Sequence, residues 1–136
     1  HRHRFALRTA VSYTAVYSND SGRVARTPLD VLSIGKKRQT ITLQTTDATT
    51  PDGVSALHTL LWNCDKERDI RAVGYPGLGE SGLESDTIQP VIVPGRRLSG
   101  ARHDLPRVLV SDGAPVFTAK GQFMGIVAGG SIVKDW

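Results

Sequence analysis

The arrangement of apolar residues most strongly limits the folds open to this sequence. No long stretch shows the helical repeat of apolar side chains. Short β-branched and apolar runs recur instead about every eight to fifteen residues, separated by Gly, Pro, Asn and Asp. Residues 40–45 alternate polar and apolar, as a strand with one buried face does. The pattern predicts an all-β fold. The predicted strands are residues 5–11, 13–18, 24–27, 40–46, 55–62, 70–75, 87–93, 105–110, 116–118 and 123–128.

Length and composition limit this fold to one modest domain. The chain has 136 residues, of which 39% are hydrophobic, enough for one globular core and too few for two large ones. Its single cysteine, Cys64, cannot form an internal disulfide, so the cellular compartment stays open. The apolar runs are far shorter than the roughly 20 residues of a membrane helix, and membrane contact is not encoded in this segment. Because the chain begins at His1 without Met, we expect a piece of a longer protein.

The excess of basic residues does not by itself predict a nucleic-acid partner. Lys and Arg number 17 against 13 Asp and Glu, which gives a formal charge of +4. These cations are scattered along the sequence, without an aromatic-rich groove or a basic helix. We therefore interpret the charge as a solvated basic surface and do not expect nucleic acid to bind. A metal- or anion-binding module that uses this charge stays open as an alternative.

Residues 72–77 and 112–130 resemble segments of trypsin-like serine proteases of the HtrA-like branch. Residues 112–117, Asp-Gly-Ala-Pro-Val-Phe, resemble the Gly-x-Ser-Gly-Gly-Pro loop that carries the nucleophile in that family. Residues 120–130 resemble the hairpin that follows this loop and ends in a Gly-Ile-x-x-Gly strand. Residues 72–77 are similar to the strand that opens the second barrel of the family, and residues 12–46 resemble the strand order of the first.

The resemblance implies the fold of that family: two packed antiparallel β-barrels, each of the six-stranded type, in one compact domain with short loops. The first barrel is expected over about residues 5–68 and the second over about residues 69–133.

The resemblance also places acidic residues where the family has its catalytic triad. Asp112 matches the nucleophilic serine and Asp30 matches the histidine that acts as general base. The third position falls on Val54 or Ser55, and Asp52 is the nearest acid. A carboxylate at position 112 cannot form and release an acyl-enzyme by the usual route, and an aspartate at position 30 is poorly suited to shuttle protons near neutral pH. These two losses argue against hydrolysis.

The backbone around the nucleophile position also departs from the family pattern. The family has a glycine two residues before the nucleophile, and this sequence has Val110, a β-branched residue that resists positive φ. We expect a strand to continue through Val110. We expect Asp112 with Gly113 to cap the loop by accepting backbone N–H groups.

Ser111 and the histidines support two further hypotheses. Ser111 lies next to the nucleophile position, and together with His58 it could form the shifted catalytic set of a divergent serine endopeptidase. His58 and His103 are also the candidate metal ligands, alongside His1 and His3, although these four histidines lack the spacing of a known metal site. The simpler expectation is that His58 is a hydrogen-bonded structural residue on a strand and that His103 lies in an exposed turn.

The resulting prediction is a catalytically inactive trypsin-like domain that serves as a protein-binding, scaffolding or regulatory module. We expect it to use no cofactor and to bind a protein partner or a peptide segment. HtrA-like proteins often assemble as trimers, so the resemblance also allows a homo-oligomer.

Overall fold

The computed structural model describes residues 11–57, 66–76 and 88–136, and these residues form eight β-strands and no helix. The all-β prediction is therefore confirmed. The strands are β1 (Tyr13–Ser18), β2 (Val24–Ile34), β3 (Ile41–Thr45), β4 (Asp69–Gly74), β5 (Val91–Arg96), β6 (Pro115–Thr118), β7 (Phe123–Ala128) and β8 (Ser131–Val133).

The first three strands form one antiparallel sheet in the order β1-β2-β3. Asn19 closes the turn between β1 and β2, because its Oδ1 accepts the N–H groups of Ser21 and Arg23, each at 3.0 Å. Gly22 adopts a φ of 73° in this turn, a left-handed conformation that glycine tolerates because it has no Cβ. Local turn chemistry thus sets the register of the first hairpin.

The second sheet and the loops packed on it hold all of the buried apolar side chains in the described residues. Its five antiparallel strands run in the order β5-β4-β6-β7-β8. Alternate side chains of β4 point into the core, where Ile70 and Ala72 are 0% exposed. Around them pack Val93, Leu105, Val110, Val116, Met124, Val127 and Ile132. The described residues of β1, β2 and β3 contribute no buried apolar side chain to this core.

The predicted strand at residues 105–110 is wrong. These residues form a turn in which the carbonyl oxygen of Pro106 accepts the N–H groups of Leu109 and Val110, each at 3.1 Å. Only Val110 of the apolar run at 108–110 is buried (0% exposed), whereas Val108 is 85% exposed. One valine anchors this part of the turn to the core, so the expected continuation of a strand through Val110 is also wrong.

The described strands do not close into the expected pair of six-stranded barrels. A barrel closes when its first and last strands pair, but β1 and β3 are the edges of the first sheet and β5 and β8 those of the second. Both sheets are therefore open within the described residues. Residues 5–10 of one predicted strand and residues 58–62 of another lie outside the described residues.

The carboxylate of Asp135, which follows β8, joins the two sheets. Its Oδ1 accepts the N–H of Lys37 and its Oδ2 accepts the N–H of Gln39, both at 2.9 Å. The hydroxyl of Thr40 donates to the backbone carbonyl oxygen of Asp135. These bonds hold the β2–β3 turn against the end of the second sheet, and Asp135 is only 7% exposed. We name this set of hydrogen bonds the Asp135 clamp.

Gly35 makes the close approach of the clamp possible. A Cβ added at this position would collide with the backbone oxygen and the carboxyl group of Asp135. A larger residue would push the turn away from the carboxylate and break its hydrogen bonds. The glycine at position 35 is therefore required by its close contact with Asp135, a residue that is distant along the sequence.

The core of the second sheet allows a direct stability test with two isoleucines on neighbouring strands. We expect Ile70→Ala to lower the free energy of unfolding by about 2–5 kcal/mol, because it leaves a cavity around a fully buried side chain. Ile92→Ala on β5 is the matched control, since Ile92 is 73% exposed, and it should change stability by no more than about 0.5 kcal/mol. Urea denaturation measures both. Equal losses in the two variants would contradict the assigned core.

The Asp135 clamp is expected to depend on pH. The N–H groups of Lys37 and Gln39 hold the pKa of the Asp135 carboxyl below its usual value. Such a carboxyl stabilises the fold above its unfolded pKa, and the contribution is lost as the pH falls through its lower folded pKa. We therefore expect Asp135→Asn to lower the Tm at neutral pH, and the gap from the unmodified protein to narrow below about pH 4. Thermal melts across this range measure the gap, and one that stays constant with pH would contradict the prediction.

Candidate functional site

A cluster of predicted site residues surrounds Gly129, in the turn between β7 and β8. Asp112, in the loop before β6, accepts the N–H of Gly129 at its Oδ1 at 2.9 Å. The same oxygen accepts a hydrogen bond from Nη2 of Arg107 at 2.7 Å, and the two side chains form an ion pair. Nη1 of Arg107 donates to the carbonyl oxygen of Gly129 at 2.6 Å. These three residues close a ring of charge-assisted hydrogen bonds, which we name the Gly129 cluster.

His103 binds the same carbonyl group. Its Nε2 lies 2.9 Å from the carbonyl oxygen of Gly129, and its Nδ1 accepts the N–H of Leu105 at 3.0 Å. Since Nδ1 must be unprotonated to accept, the neutral ring carries its proton on Nε2 and donates it to Gly129. The expected exposed turn is wrong for His103, which is only 7% exposed. The imidazole can be buried because both of its nitrogens are hydrogen-bonded to the backbone.

Asp112 acts as a structural acceptor in this arrangement. The N–H of Gly129, followed by the hydrogen bond from Arg107, lowers the pKa of the Asp112 carboxyl below its usual value. The side chain is therefore an anion near neutral pH, and two donors occupy it. The prediction that Asp112 accepts a backbone N–H is confirmed, but the donor lies in the β7–β8 turn and not in the loop of Asp112 itself.

The backbone before Asp112 does not form an oxyanion site. Among the described residues other than glycine, only Arg38 and Ala48 have positive φ, so Val110 does not adopt the conformation of the family's glycine. The N–H of Val110 donates to the carbonyl oxygen of Pro106 at 3.1 Å. This donor is therefore already used and is not directed at a position that a substrate oxygen could take.

The shifted catalytic set is not assembled by the described residues. Ser111 is exposed, and within the part of the protein that the structure describes no imidazole hydrogen-bonds to its hydroxyl. His103 has both ring nitrogens bonded elsewhere, so it cannot take the serine proton without breaking a bond. His58 lies outside the described residues, and so do His1 and His3.

Asp30 and Asp52, the other two residues that the resemblance matched to the triad, are not bonded to the Gly129 cluster in the described structure. Asp30 lies exposed on β2, where it is paired with Gln44 of β3. Asp52 is exposed in a turn. Within the described ranges, no hydrogen bond or ion pair joins either carboxylate to Asp112. Of the predicted positions that lie within the described ranges, hydrogen bonds connect Asp112 and His103 alone, through Gly129.

The described residues also offer no metal site. No group of three or more His, Cys, Asp or Glu side chains within residues 11–57, 66–76 and 88–136 is placed to hold an ion. His103 has no free lone pair in its present bonding, because Nδ1 accepts from Leu105 and Nε2 carries the proton. The candidate ligand His58 lies outside these ranges.

A cavity of about 500 Å³, which the sequence does not reveal, lies between the β2–β3 turn and β8. Its lining includes three cations and one carboxylate, which also accepts two backbone N–H groups. Because the cations outnumber the carboxylate, the lining is net positive. Because its walls come from distant parts of the sequence, no local spacing could have identified it. The polar lining residues are Lys37, Gln39, Arg97, Ser131, Lys134 and Asp135.

Comparison with known proteins finds no relative: no family model, no curated protein and no solved structure matches the sequence or the fold. Among the described residues there is no helix with the length and apolar character that a membrane crossing requires. An inference about function therefore depends on the geometry of the described residues and on the resemblance of the sequence motifs.

The Gly129 cluster predicts unequal roles for three aspartates. We expect Asp112→Ala to lower the Tm on the order of a few degrees, because it removes the acceptor for Gly129 and the partner of Arg107. The Tm of Asp112→Asn should lie between those of Asp112→Ala and the unmodified protein, since the amide oxygen of asparagine can still accept the Gly129 N–H. Asp30→Ala and Asp52→Ala are the controls and should leave the Tm almost unchanged. Thermal melts of the four variants measure these Tm values. Equal Tm shifts at positions 30, 52 and 112 would refute the structural role of Asp112.

Proposed function

We propose that this protein is a catalytically inactive trypsin-like domain of the HtrA-like branch that acts as a protein-binding or scaffolding module. The hydrogen bond between Asp112 and Gly129 carries this proposal. The residue at the nucleophile position is an anionic carboxylate that fastens the β7–β8 turn to the loop before β6. A side chain used in this way serves the fold and not acyl transfer.

The order of the strands supports the relation to the trypsin-like fold. The loop that contains Asp112 leads into β6, and the β6–β7 hairpin follows, as a hairpin follows the nucleophile loop in the family. The two sheets are also separate along the sequence, since β3 ends at Thr45 and β4 begins at Asp69. This separation agrees with one sheet from each expected barrel.

The absence of catalysis is supported at three places in the described residues. Asp112 has two donors, and the N–H of Val110 is bonded to Pro106. His103 uses both of its nitrogens. An acyl transfer site needs a nucleophile, a base and an oxyanion donor. Asp112, His103 and the N–H of Val110 are bonded within the fold instead, and Asp30, at the expected base position, lies apart from them on β2.

The binding half of the proposal is supported by the uneven burial of the two sheets. The second sheet contains the described core, whereas the first sheet leaves Val31, Ile34 and Ile41 largely exposed. Exposed apolar side chains grouped on one sheet are typical of interaction surfaces.

A fluorophosphonate probe tests the loss of catalysis. We expect labelling of the folded protein no faster than labelling of the heat-denatured protein, because Ser111 has no described imidazole to activate it. An active trypsin-like protease treated in parallel confirms the probe, and Ser111→Ala serves as the matched variant. Labelling well above this background that disappears in Ser111→Ala would instead establish the divergent serine endopeptidase and overturn the proposal.

A further inference from the structure

The three-stranded sheet has one face with large apolar side chains and one mixed face. Cross-strand partners share a face, and successive residues of a strand point to opposite faces. The observed register places seven large apolar side chains on one face, which we name the apolar face: Tyr13, Tyr17, Leu29, Val31, Ile34, Ile41 and Leu43. The opposite face is mixed, because it carries Arg26, Asp30 and Gln44 together with Val16, Val24 and Pro28. The predicted general-base position, Asp30, therefore lies on the mixed face.

The end of the apolar face nearest the β2–β3 turn is open to solvent in the described structure. Val31 is 49% exposed, Ile34 is 63% exposed and Ile41 is 46% exposed. Ile34 and Ile41 are direct cross-strand partners, so their side chains form one continuous patch. The patch reaches β3, which is an edge strand of this sheet.

The hydrogen bonds that flank the β2–β3 ladder show which residues of β3 bond to β2. The N–H of Gly35 donates to the carbonyl oxygen of Thr40 at 2.9 Å, and the N–H of Thr46 donates to the carbonyl oxygen of Pro28 at 3.1 Å. The irregularity in the ladder falls on β2, between residues 31 and 33, so the alternation along β3 is unbroken. Even-numbered residues of β3 therefore direct their backbone groups toward β2.

Ile41 and Leu43 consequently direct their N–H and carbonyl groups away from β2. No strand within residues 11–57, 66–76 and 88–136 pairs with this outer edge. An extended peptide lying along the edge would bond to the backbone of both residues. Its alternate side chains would then continue the apolar face.

The turn beside this edge is basic. Residues 36–38 are three consecutive cations, and residues 31–46 contain no Asp or Glu. Lys134 lines the electropositive cavity together with Lys37. The nearby carboxylate of Asp135 attracts Lys37, but it is a single negative charge beside several cations. A ligand that fits both the edge and the cavity therefore has apolar side chains followed by acidic ones.

We propose that the outer edge of β3, the exposed end of the apolar face and the cavity beside Lys37 and Lys134 form one docking site for an extended peptide. The peptide alternates apolar and polar residues along β3 and places a carboxylate in the cavity. We name this the β3 edge site. It rests on the proposed function in one respect, since it names the class of partner that the binding module accepts.

The edges of the second sheet are protected, which distinguishes them from β3. Pro94 of β5 has no N–H, and the next outward-facing residue, Arg96, is bonded to Asp104 through its N–H at 2.6 Å and its carbonyl oxygen at 3.2 Å. On β8, the N–H of Ile132 donates to the carbonyl oxygen of Ala101 at 2.8 Å. These devices prevent strand addition. On β3, the carbonyl oxygen of Thr45 accepts the N–H of Ala48 at 2.9 Å, whereas Ile41 and Leu43 carry none of these devices within the described residues.

Charge and geometry favour a peptide over a membrane or a second copy of the protein. The Asp135 clamp holds the basic turn against the second sheet through Lys37 and Gln39, so the turn does not project freely as a membrane-inserting hairpin would. A second copy would present the same cations to the cavity and would supply no matching acid at this turn.

Hydrogen exchange detected by NMR tests the site with a defined probe. The probe is a short peptide in which valine and threonine alternate, made with a pair of glutamates at either its N-terminus or its C-terminus, because a strand can add in both directions. We expect at least one form to slow exchange of the Ile41 and Leu43 amides by about tenfold or more. The Thr42 and Gln44 amides, which already bond to β2, should change little. Protection confined to other parts of the protein would overturn the assignment.

A proline pair tests the strand edge without disturbing the ladder. Leu43→Pro removes an outward N–H, and we expect it to weaken peptide binding by at least about tenfold in fluorescence polarisation. Val16→Pro is the matched control, because Val16 occupies an outward-facing position on β1, the other edge of the same sheet. Equal weakening by both would contradict the β3 edge site. If either variant fails to fold, two peptides repeat the test on the unmodified protein, one N-methylated at its odd-numbered residues and one at its even-numbered residues. One of the two peptides should lose binding, because its methyl groups block the N–H groups that face β3, and the other should still bind. Equal binding of the two peptides would overturn the proposal.

Neutralising the cavity cations tests the acidic end of the ligand. We expect Lys37→Gln combined with Lys134→Gln to weaken binding about fivefold. Lys66→Gln combined with Lys120→Gln, on exposed lysines outside the cavity, should have little effect. A probe with glutamines in place of glutamates should bind the unmodified protein about as weakly as the acidic probe binds the cavity variant. Equal effects of the two lysine pairs would contradict the place of the cavity in the site.

Three results would overturn the β3 edge site. They are no binding of either acidic peptide, binding only to phosphatidylserine vesicles, and a dimer in sedimentation that Leu43→Pro dissociates. The fluorophosphonate test is independent of all three. A protein that is labelled at Ser111 but still binds the peptide would refute the proposed loss of catalysis alone, and an unlabelled protein that fails to bind would refute this site alone.

Discussion

The arrangement of the two sheets depends on one carboxylate, that of Asp135. The first sheet contributes no buried apolar side chain to the described core, so burial against the second sheet contributes little to its position. Hydrogen bonds hold the first sheet in position instead, because both oxygens of Asp135 accept backbone N–H groups of the β2–β3 turn. Bonds of this kind have a fixed direction, and they set where the turn lies. The position of the electropositive cavity follows from them, since Lys37 and Asp135 both line it.

A second carboxylate holds a distant turn in place at Gly129. There a carboxylate, Asp112, again accepts the N–H of a turn that is distant in sequence, and Arg107 completes the ring. His103 adds a bond to the same carbonyl group. A catalytic carboxylate or imidazole must keep a lone pair or a proton available for the substrate. His103 uses both ring nitrogens in bonds to the backbone, and Oδ1 of Asp112 accepts from Gly129 and Arg107. The described bonds of these side chains therefore serve to hold the β7–β8 turn in place.

Local patterns in the sequence predict the strands well where the alternation is regular, and they find only part of the candidate site. The strands predicted at 13–18 and 123–128 have the same bounds as β1 and β7. The apolar run at 105–110 misleads because Pro106 turns the backbone, and β8 is too short to show a period. The motif match finds Asp112, but its donor Gly129 and the burial of His103 depend on tertiary structure. The alternation of apolar residues indicates that one face of a strand is buried, but it does not show which residues cover that face.

The edges of the second sheet and the β3 edge of the first sheet are protected from self-association in different ways. An uncovered edge with apolar neighbours favours association with other copies, and the second sheet avoids this with Pro94 and with the bonds to Asp104. The first sheet has the three cations at residues 36–38 beside its β3 edge instead. Cations next to an apolar strand oppose pairing between identical copies, because each copy brings the same charge. The same charge attracts an acidic partner, so one sequence feature discourages self-association and selects the ligand.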